Sequence, residues 1–214
     1  MKLHELAERS GVSTASIKHY LRLGLLPPGA KKNATTSVYG ALHLHRLALI
    51  SWIRRELGLS LTTVSALTSA IDDGTIPNVY LMGICQQLAL GAAPGAPEAS
   101  PRDVEDASGA ESTIRDILDR MGLPDVSTSA RVELARAVTD LRKAGYVVDE
   151  AAIELHLRAL LEIARGNTTP ISDDLSRDEI CLEVIRGVTL HNRMLLAASA
   201  VAHASLSGLA RVSS

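Results

Sequence analysis

The stretch that most constrains the fold of this chain is residues 7–28, which read AERSGVSTASIKHYLRLGLLPP. Ala7, Gly11 and Ile17 have the spacing of a helix-turn-helix, in which two short helices cross over one shared contact. Gly11 suits the left-handed backbone that ends a first helix. Ser13 can accept a hydrogen bond from the amides that open a second helix. The stretch therefore predicts two crossed helices at the start of the chain.

The second of these helices, predicted over about 14–22, presents a mixed polar face. Its apolar residues Ile17 and Leu21 are four positions apart and face inward. The residues that then point away from the core are Thr14, Ala15, Lys18, His19 and Arg22. An outward face with these side chains fits a DNA groove.

Six segments, in this order along the chain, make the sequence resemble the MerR family of transcriptional regulators. They are Leu6-Ala7, Gly11-Val12-Ser13, Ile17-Lys18-His19-Tyr20, Arg22-Leu23-Gly24-Leu25-Leu26-Pro27-Pro28, Leu44-His45-Arg46-Leu47 and Gly58-Leu59-Ser60-Leu61. The chain departs from the family at Leu21, where an acidic residue is usual, and at Thr36-Ser37, where the family has an aromatic-Arg pair. The resemblance covers roughly the first third of the chain.

This resemblance implies a winged helix-turn-helix that binds double-stranded promoter DNA. Promoters of this family have two elements spaced too far apart, and the bound regulator distorts the DNA so that RNA polymerase can engage. We expect a wing in the polar turn over residues 29–39. Base edges are then approached by Thr14, Ala15, Lys18 and His19. Phosphates are contacted by Lys18, Tyr20, Arg22, Lys31 and Lys32, with Arg46 as a further candidate.

The composition favours helices throughout the chain. Apolar residues make up 46% of the sequence, yet there are only four tyrosines, one tryptophan and no phenylalanine. Cores must therefore be built from leucine, isoleucine, valine and alanine, which is typical of packed helices. We expect a mainly α fold, with the winged helix-turn-helix followed by an all-α C-terminal domain.

The charge of the chain is unevenly distributed. Residues 1–71 hold nine Lys and Arg against three Asp and Glu, a net charge of +6, whereas residues 72–214 hold thirteen against twenty-one, a net charge of −8. A basic N-terminal part with an acidic remainder is typical of a nucleic-acid-binding domain, here called the reader, joined to a part that does not contact DNA.

We predict three segments from these patterns: a reader over 1–75, a short helix and linker over 76–101, and a helical effector or dimerisation domain over 102–214. The linker contains GAAPGAPEASP, whose Gly, Ala and Pro residues cannot build a packed element, and the acidic stretch through Asp106 extends it. The helix over 78–90 is too short for the coiled coil through which MerR relatives commonly dimerise. Four helices are expected after the linker, the first beginning at a capping box of Ser108 and Glu111.

The last helix is the longest, beginning at Arg177 behind a capping box of Ser176 and Glu179 and continuing to about Ala210. The apolar stripe of this helix is longer than the three shorter helices before it can cover. We therefore expect a homodimer interface there. The alternative is a core helix within its own domain. The predicted interface residues on this stripe are Val184, Val188, His191, Leu195, Ala198, Ala202 and Leu206. His191 is a hydrogen-bonded core histidine, a ligand anchor or a pH sensor, and the sequence leaves these alternatives open.

Nothing in the sequence indicates an enzyme, a metal site or a cofactor. Cys85 and Cys181 lie far apart, without a CxxC pattern, and are expected to be small buried apolar residues; a redox pair requires the fold to bring them together. Charged residues near the N-terminus exclude a signal peptide there, and no apolar run reaches the ~18 residues of a membrane span. We expect a soluble, cytoplasmic protein.

The sequence thus predicts a sequence-specific, homodimeric DNA-binding regulator of the MerR type, whose helical C-terminal domain senses an effector or serves dimerisation. A small-molecule effector and RNA polymerase are the further candidate partners. The alternative is an adaptor or architectural protein, tethered to DNA by the reader, whose helical domain binds another protein. A sensor should contain a cavity, whereas an adaptor should expose a continuous apolar groove.

Overall fold

The protein is mainly helical, as the sequence predicts. The computed structural model describes residues 1–33, 36–91, 101–125, 128–167, 172 and 174–212. Within these residues no helix combines the length and the apolar character that a membrane span requires. The chain folds into two compact units: a first unit of residues 1–92 with 171–214, and an inserted unit of residues 93–170.

The helix-turn-helix consists of α1 (Leu3–Ser10) and α2 (Thr14–Arg22). Gly11 ends α1 with φ of 68°, in the left-handed region that favours glycine. The Ser13 hydroxyl accepts a hydrogen bond from the Ser16 amide at 3.1 Å and so caps α2. Both local predictions for the turn are confirmed.

The wing consists of two short antiparallel strands, β1 (Ala30–Lys31) and β2 (Ser37–Val38), with Ala30 opposite Val38. The start of the chain closes against the end of this hairpin, because the Met1 ammonium donates to the Tyr39 carbonyl at 2.8 Å. Gly29 precedes β1 at a close approach, where a Cβ atom would lie 2.9 Å from the Tyr39 ring. A larger residue at position 29 would therefore push the hairpin away from Tyr39.

Three further helical segments complete the N-terminal part. Helix α3 (Ala41–Trp52) continues into a π-helical segment (Ile53–Leu57), and α4 (Leu61–Asp72) and α5 (Asn78–Ala89) follow. Ser60 caps α4 by accepting a hydrogen bond from the Thr63 amide at 3.1 Å. Helix α5 is short, as the sequence predicts.

The inserted unit contains α6 (Pro101–Arg120), α7 (Thr128–Lys143) and α8 (Glu150–Asn167). Its core is formed by Ala110, Ile114, Ile117, Ala135, Val138 and Ile153. The predicted extension of the linker through Asp106 is wrong, because α6 already begins at Pro101. Proline is favoured in the first turn of a helix, and acidic residues there suit the helix dipole. Most of the predicted linker over 91–101, namely residues 92–100, lies outside the described residues.

Helix α9 (Arg177–Val212) has 36 residues, which at ~1.5 Å per residue make a rod of roughly 50 Å. Its predicted capping box is present: the Ser176 amide donates to Glu179 Oε2 at 2.8 Å, and the Glu179 amide donates to Ser176 Oγ at 3.4 Å. The Ser176 hydroxyl also donates to Glu179 Oε2, at 2.7 Å. These donors lower the pKa of Glu179, and the charge of His45 contributes in the same direction.

The predicted division of the chain differs from the observed one. The sequence placed α9 in one domain with the three preceding helices, over 102–214, whereas the structure groups α9 with the N-terminal helices. Cys181, Val184 and Ile185 of α9 pack in one core cluster with Leu81 and Cys85 of α5. An apolar stripe shows that a helix needs a partner, but it does not show which helix the partner is.

Cys85 and Cys181 meet within this cluster, which answers a question that the sequence leaves open. Both are free thiols without solvent exposure. The hydrogen bond that the Cys85 thiol makes to Cys181, together with burial, raises the pKa of Cys85. The two residues therefore act as small apolar core residues at the contact of α5 and α9.

A buried ionic cluster, formed by Arg46, Asp72, Asp178 and the Leu25 carbonyl, ties α9 to the rest of the first unit. Arg46 is only 3% exposed. Its Nε donates to Asp178, its Nη1 donates to the Leu25 carbonyl at 3.1 Å, and its Nη2 donates to Asp72 at 2.6 Å. Burial opposes the charge of Arg46, but the hydrogen bonds to the two carboxylates outweigh it and raise the pKa of the guanidinium.

We expect Arg46→Met to destabilise the protein by about 3–5 kcal/mol, because Asp178 would remain buried without its charge partner. Urea unfolding followed by circular dichroism measures this change. The matched control is Arg54→Met, since Arg54 is exposed and a surface substitution should change stability by only about 0.5 kcal/mol. Equal effects of the two substitutions would contradict a structural role for the ionic cluster.

The capping box predicts a pH dependence of stability. Because the pKa of Glu179 is lowered on folding, its contribution is present above its ordinary pKa and is lost as the pH falls through the native value. We expect Glu179→Gln to lower the urea midpoint at pH 7 and to match the wild type at acidic pH, where Glu179 is protonated. Glu183→Gln, in the exposed pair with Arg186, is the control. A difference for Glu179→Gln that persists unchanged at acidic pH would argue against this role.

Candidate nucleic-acid interface

The outward face of α2 is accessible in the structure. Ile17 has no solvent exposure and packs with Leu6, Leu26 and Leu47. Thr14, Ala15, Lys18 and Arg22 are exposed, and His19 is half-buried. Burial of Ile17 thus turns the polar side chains of α2 outward, toward the space that a DNA groove would occupy in a helix-turn-helix complex.

Tyr20 has a mainly structural position. It is half-buried and packs against both apolar clusters of the first unit, the cluster around Ile17 and the cluster around Leu25 and Ile50. Its carbonyl accepts a hydrogen bond from the Leu25 amide at 3.0 Å. Tyr20 therefore anchors the end of α2, and only part of its side chain is accessible to a ligand.

The wing adds two cations to the same unit. Lys31 lies in β1 and Lys32 directly after it, and both side chains are exposed. The Lys32 amide donates to the Thr36 carbonyl at 2.9 Å, which holds the turn of the hairpin. Ammonium groups on an exposed hairpin can meet phosphate oxygens, whatever the base sequence.

Arg46 has to be removed from the predicted DNA-contacting residues. The sequence places it off the apolar stripe of α3, where a free cation is expected, but helix α9 covers that side. Its guanidinium is buried and is bonded to Asp72, Asp178 and the Leu25 carbonyl. A buried, paired guanidinium cannot reach a phosphate without breaking these bonds.

The first turn of α9 supplies contacts that sequence reasoning missed. His45 Nδ1 lies 3.0 Å from Ser176 Oγ and 3.2 Å from Glu179 Oε2. Arg177 donates to the Ile76 carbonyl at 2.8 Å and to the Ala70 carbonyl at 3.0 Å, so it binds the end of α4. A basic residue near the acidic start of α9 is the only sequence signal, and it does not identify a partner about a hundred residues away.

The predicted dimer stripe on α9 divides into two parts. Val184 is 8% exposed and belongs to the core of its own chain, and Val188 packs against that core, so the prediction that Val184 faces a second subunit is wrong. His191 and Leu195 are half-buried. Ala198, Ala202 and Leu206 are exposed. Only the part of the stripe beyond Val188 is thus accessible to a partner.

The described residues contain no group of three His, Cys, Asp or Glu side chains that could hold a metal ion. In the inserted unit, a cleft of about 310 Å³ is lined by Met121, Leu123, Arg158, Leu161, Glu162 and Arg165. Both arginines of this cleft are engaged in ion pairs, Arg158 with Glu154 and Arg165 with Glu162.

Comparisons with known proteins agree with the geometry of the N-terminal part. Residues 1–71 match the family model described as MerR HTH family regulatory protein. Over its whole length the chain is similar to the crystal structure of the "putative transcriptional regulator SCO5550" from Streptomyces coelicolor A3(2), with 28% identity and a TM-score of 0.69. The similarity covers 97% of this chain and 96% of that one. Among proteins of curated function, none matches the sequence.

The family comprises transcriptional regulators and not enzymes. The matched region coincides with α1, α2, the wing, α3 and most of α4, which are the elements that carry the exposed basic surface. Residues 1–71 are therefore a MerR HTH family domain, and over its whole length the chain is similar to a putative transcriptional regulator.

Proposed function

We propose that the protein binds promoter DNA as a homodimer, through α2 in the major groove and the wing on the phosphate backbone. The observation that carries this proposal is the accessible basic surface on α2 and the wing of a chain whose remainder is acidic. The contacting residues would be Thr14, Ala15, Lys18, His19, Tyr20, Arg22, Lys31 and Lys32. By the family resemblance, the protein would act in the cytoplasm on promoters that it distorts for RNA polymerase.

Lysines that contact phosphates make binding salt-dependent, because each contact releases a counterion from the DNA. Log affinity falls linearly with log salt concentration. We expect Lys18→Ala and Lys31→Ala each to reduce the steepness of this fall by about 0.9, and the double variant by about 1.8. Fluorescence anisotropy with a selected promoter fragment measures this slope.

Arg115→Ala is the matched control for these variants. Arg115 is exposed on α6 of the inserted unit, so its removal takes away one positive charge outside the reader. Its slope should equal that of the wild type. The proposed surface is incorrect if the lysine variants keep the full slope or if Arg115→Ala loses as much.

The second half of α9 supports the homodimer. The side chains described from residue 193 to 207 are exposed or half-buried, yet they include large apolar groups: Met194 is 55% exposed, Leu196 74%, Val201 66% and Leu206 66%. Met194 and Val201 lie beside the stripe of Leu195, Ala198 and Ala202 and widen it. Small residues within such a face allow two helices to approach closely, so a second copy of α9 is a fitting occupant.

Ala198→Glu and Ala202→Arg test this interface. Each places a charge where the dimer would bury it without a partner, at a cost of about 3–5 kcal/mol. We expect folded monomers by sedimentation, with weak DNA binding, since a palindromic operator requires two linked readers. Ala200→Glu lies on the opposite face of the helix and should leave the dimer intact. Dimers of all three variants would place the interface elsewhere.

The role of the inserted unit has two candidates, each favoured by an observation. The cleft beside Arg158 and Arg165 favours an effector site, although both arginines are engaged in ion pairs. Exposed apolar residues on α8, namely Leu155, Leu160 and Ile163, favour an adaptor that binds a protein. We propose effector sensing as the first candidate and the adaptor as the second.

A two-step experiment discriminates between these candidates. Genomic fragments bound by the purified full chain are selected first, and a small-molecule library is then screened for compounds that change DNA affinity. Such a compound supports a sensor. An adaptor is supported if Leu155→Glu abolishes transcription activation by RNA polymerase in vitro while the DNA affinity stays unchanged.

A further inference from the structure

The outward face of α2 contains a hydrogen bond that determines the proton position on a histidine. Arg22 Nη2 and His19 Nδ1 lie 2.9 Å apart, one helical turn from each other. A guanidinium has only donors and does not deprotonate in proteins, so Nδ1 must be the acceptor. An accepting Nδ1 carries no proton, and the proton of the neutral ring is then on Nε2.

The Nε2–H group of His19 remains available for another partner. The hydrogen bonds found among the described residues leave this group without an acceptor. The ring is half-buried and lies at 42° to the ring of Tyr20, with the centroids 6.3 Å apart, so neighbouring side chains restrict its position. Lys18, the preceding residue, is exposed on the outward surface of the same helix.

We propose that His19 acts as an obligate hydrogen-bond donor to DNA through Nε2–H, with Arg22 as its positioning residue. This inference rests on the proposed function. The partner is an acceptor atom: N7 of a purine at a base edge, or a phosphate oxygen. Cytosine offers only an amino donor in the major groove, so a ring with a fixed donor disfavours it at that position.

The consequence for Arg22 differs from that of a simple phosphate contact. One of the five N–H donors of Arg22 bonds to His19, and the other four can donate to phosphates of the DNA backbone. Loss of Arg22 should therefore change both the salt dependence of binding and the base preference at the His19 position. Arg22→Lys keeps the charge and a donor, whereas Arg22→Met keeps neither.

The test uses the full chain and a promoter fragment selected by it. Each purine is replaced in turn by its 7-deaza analogue, which lacks the N7 acceptor, and each phosphate by a methylphosphonate, which lacks the charged oxygen. We expect one replacement to weaken wild-type binding roughly ten- to hundredfold and to have little further effect on His19→Ala. A 7-deaza position identifies a base edge, and a methylphosphonate position identifies the backbone.

Two further measurements complete this test. At the identified position, a change to cytosine should be tolerated better by Arg22→Met than by the wild type, with Arg22→Lys restoring part of the discrimination. Nitrogen NMR of the His19 ring in the free protein should show a protonated Nε2 and an unprotonated Nδ1.

The outcomes separate this inference from the proposed function. A protonated Nδ1, or equal effects of every DNA replacement on wild type and His19→Ala, would overturn the donor role while DNA binding persists. Absence of any salt-dependent binding by the wild type would instead overturn the proposed function, and the His19 role with it.

Discussion

The geometry of the reader depends on the buried guanidinium of Arg46. Its three hydrogen-bonding directions reach the segment after α2 through Leu25, the end of α4 through Asp72 and the first turn of α9 through Asp178. Removal of the guanidinium would leave Asp178 buried without its charge partner and would break all three contacts at once. The orientation of α2 is therefore linked by direct bonds to a helix that begins more than a hundred residues later in the chain.

The local features of the fold could be predicted because they depend on neighbouring residues. Gly11 ends α1 because glycine adopts a positive φ without strain. Ser13, Ser60 and Ser176 cap helices by accepting a hydrogen bond from an amide three residues later. The long-range features could not be predicted in this way. Arg46 has the sequence pattern of an exposed cation. No neighbouring residue in the sequence indicates that it is buried and paired with Asp178.

Helix α9 shows why an apolar stripe alone does not identify an interface. Its buried face includes Cys181, Ile185 and Thr189, and the polar Thr189 is a weak signal of burial in a sequence. The stripe of leucine, valine and alanine lies at an angle to that face and shares only its edge, where Val184 and Val188 pack. One helix can thus bury one face in its own chain and expose another. The spacing of apolar residues in the sequence does not distinguish these two faces.

The meeting of Cys85 with Cys181 also has a topological consequence. The inserted unit of residues 93–170 separates Cys85 from Cys181 in the sequence, and the two residues touch in the first unit. The packing of α5 against α9 therefore closes the long loop between Cys85 and Cys181 with residues of the first unit alone. Because the cost of closing a loop rises only slowly with its length, the length of the intervening module can vary with little effect on the contact of α5 with α9.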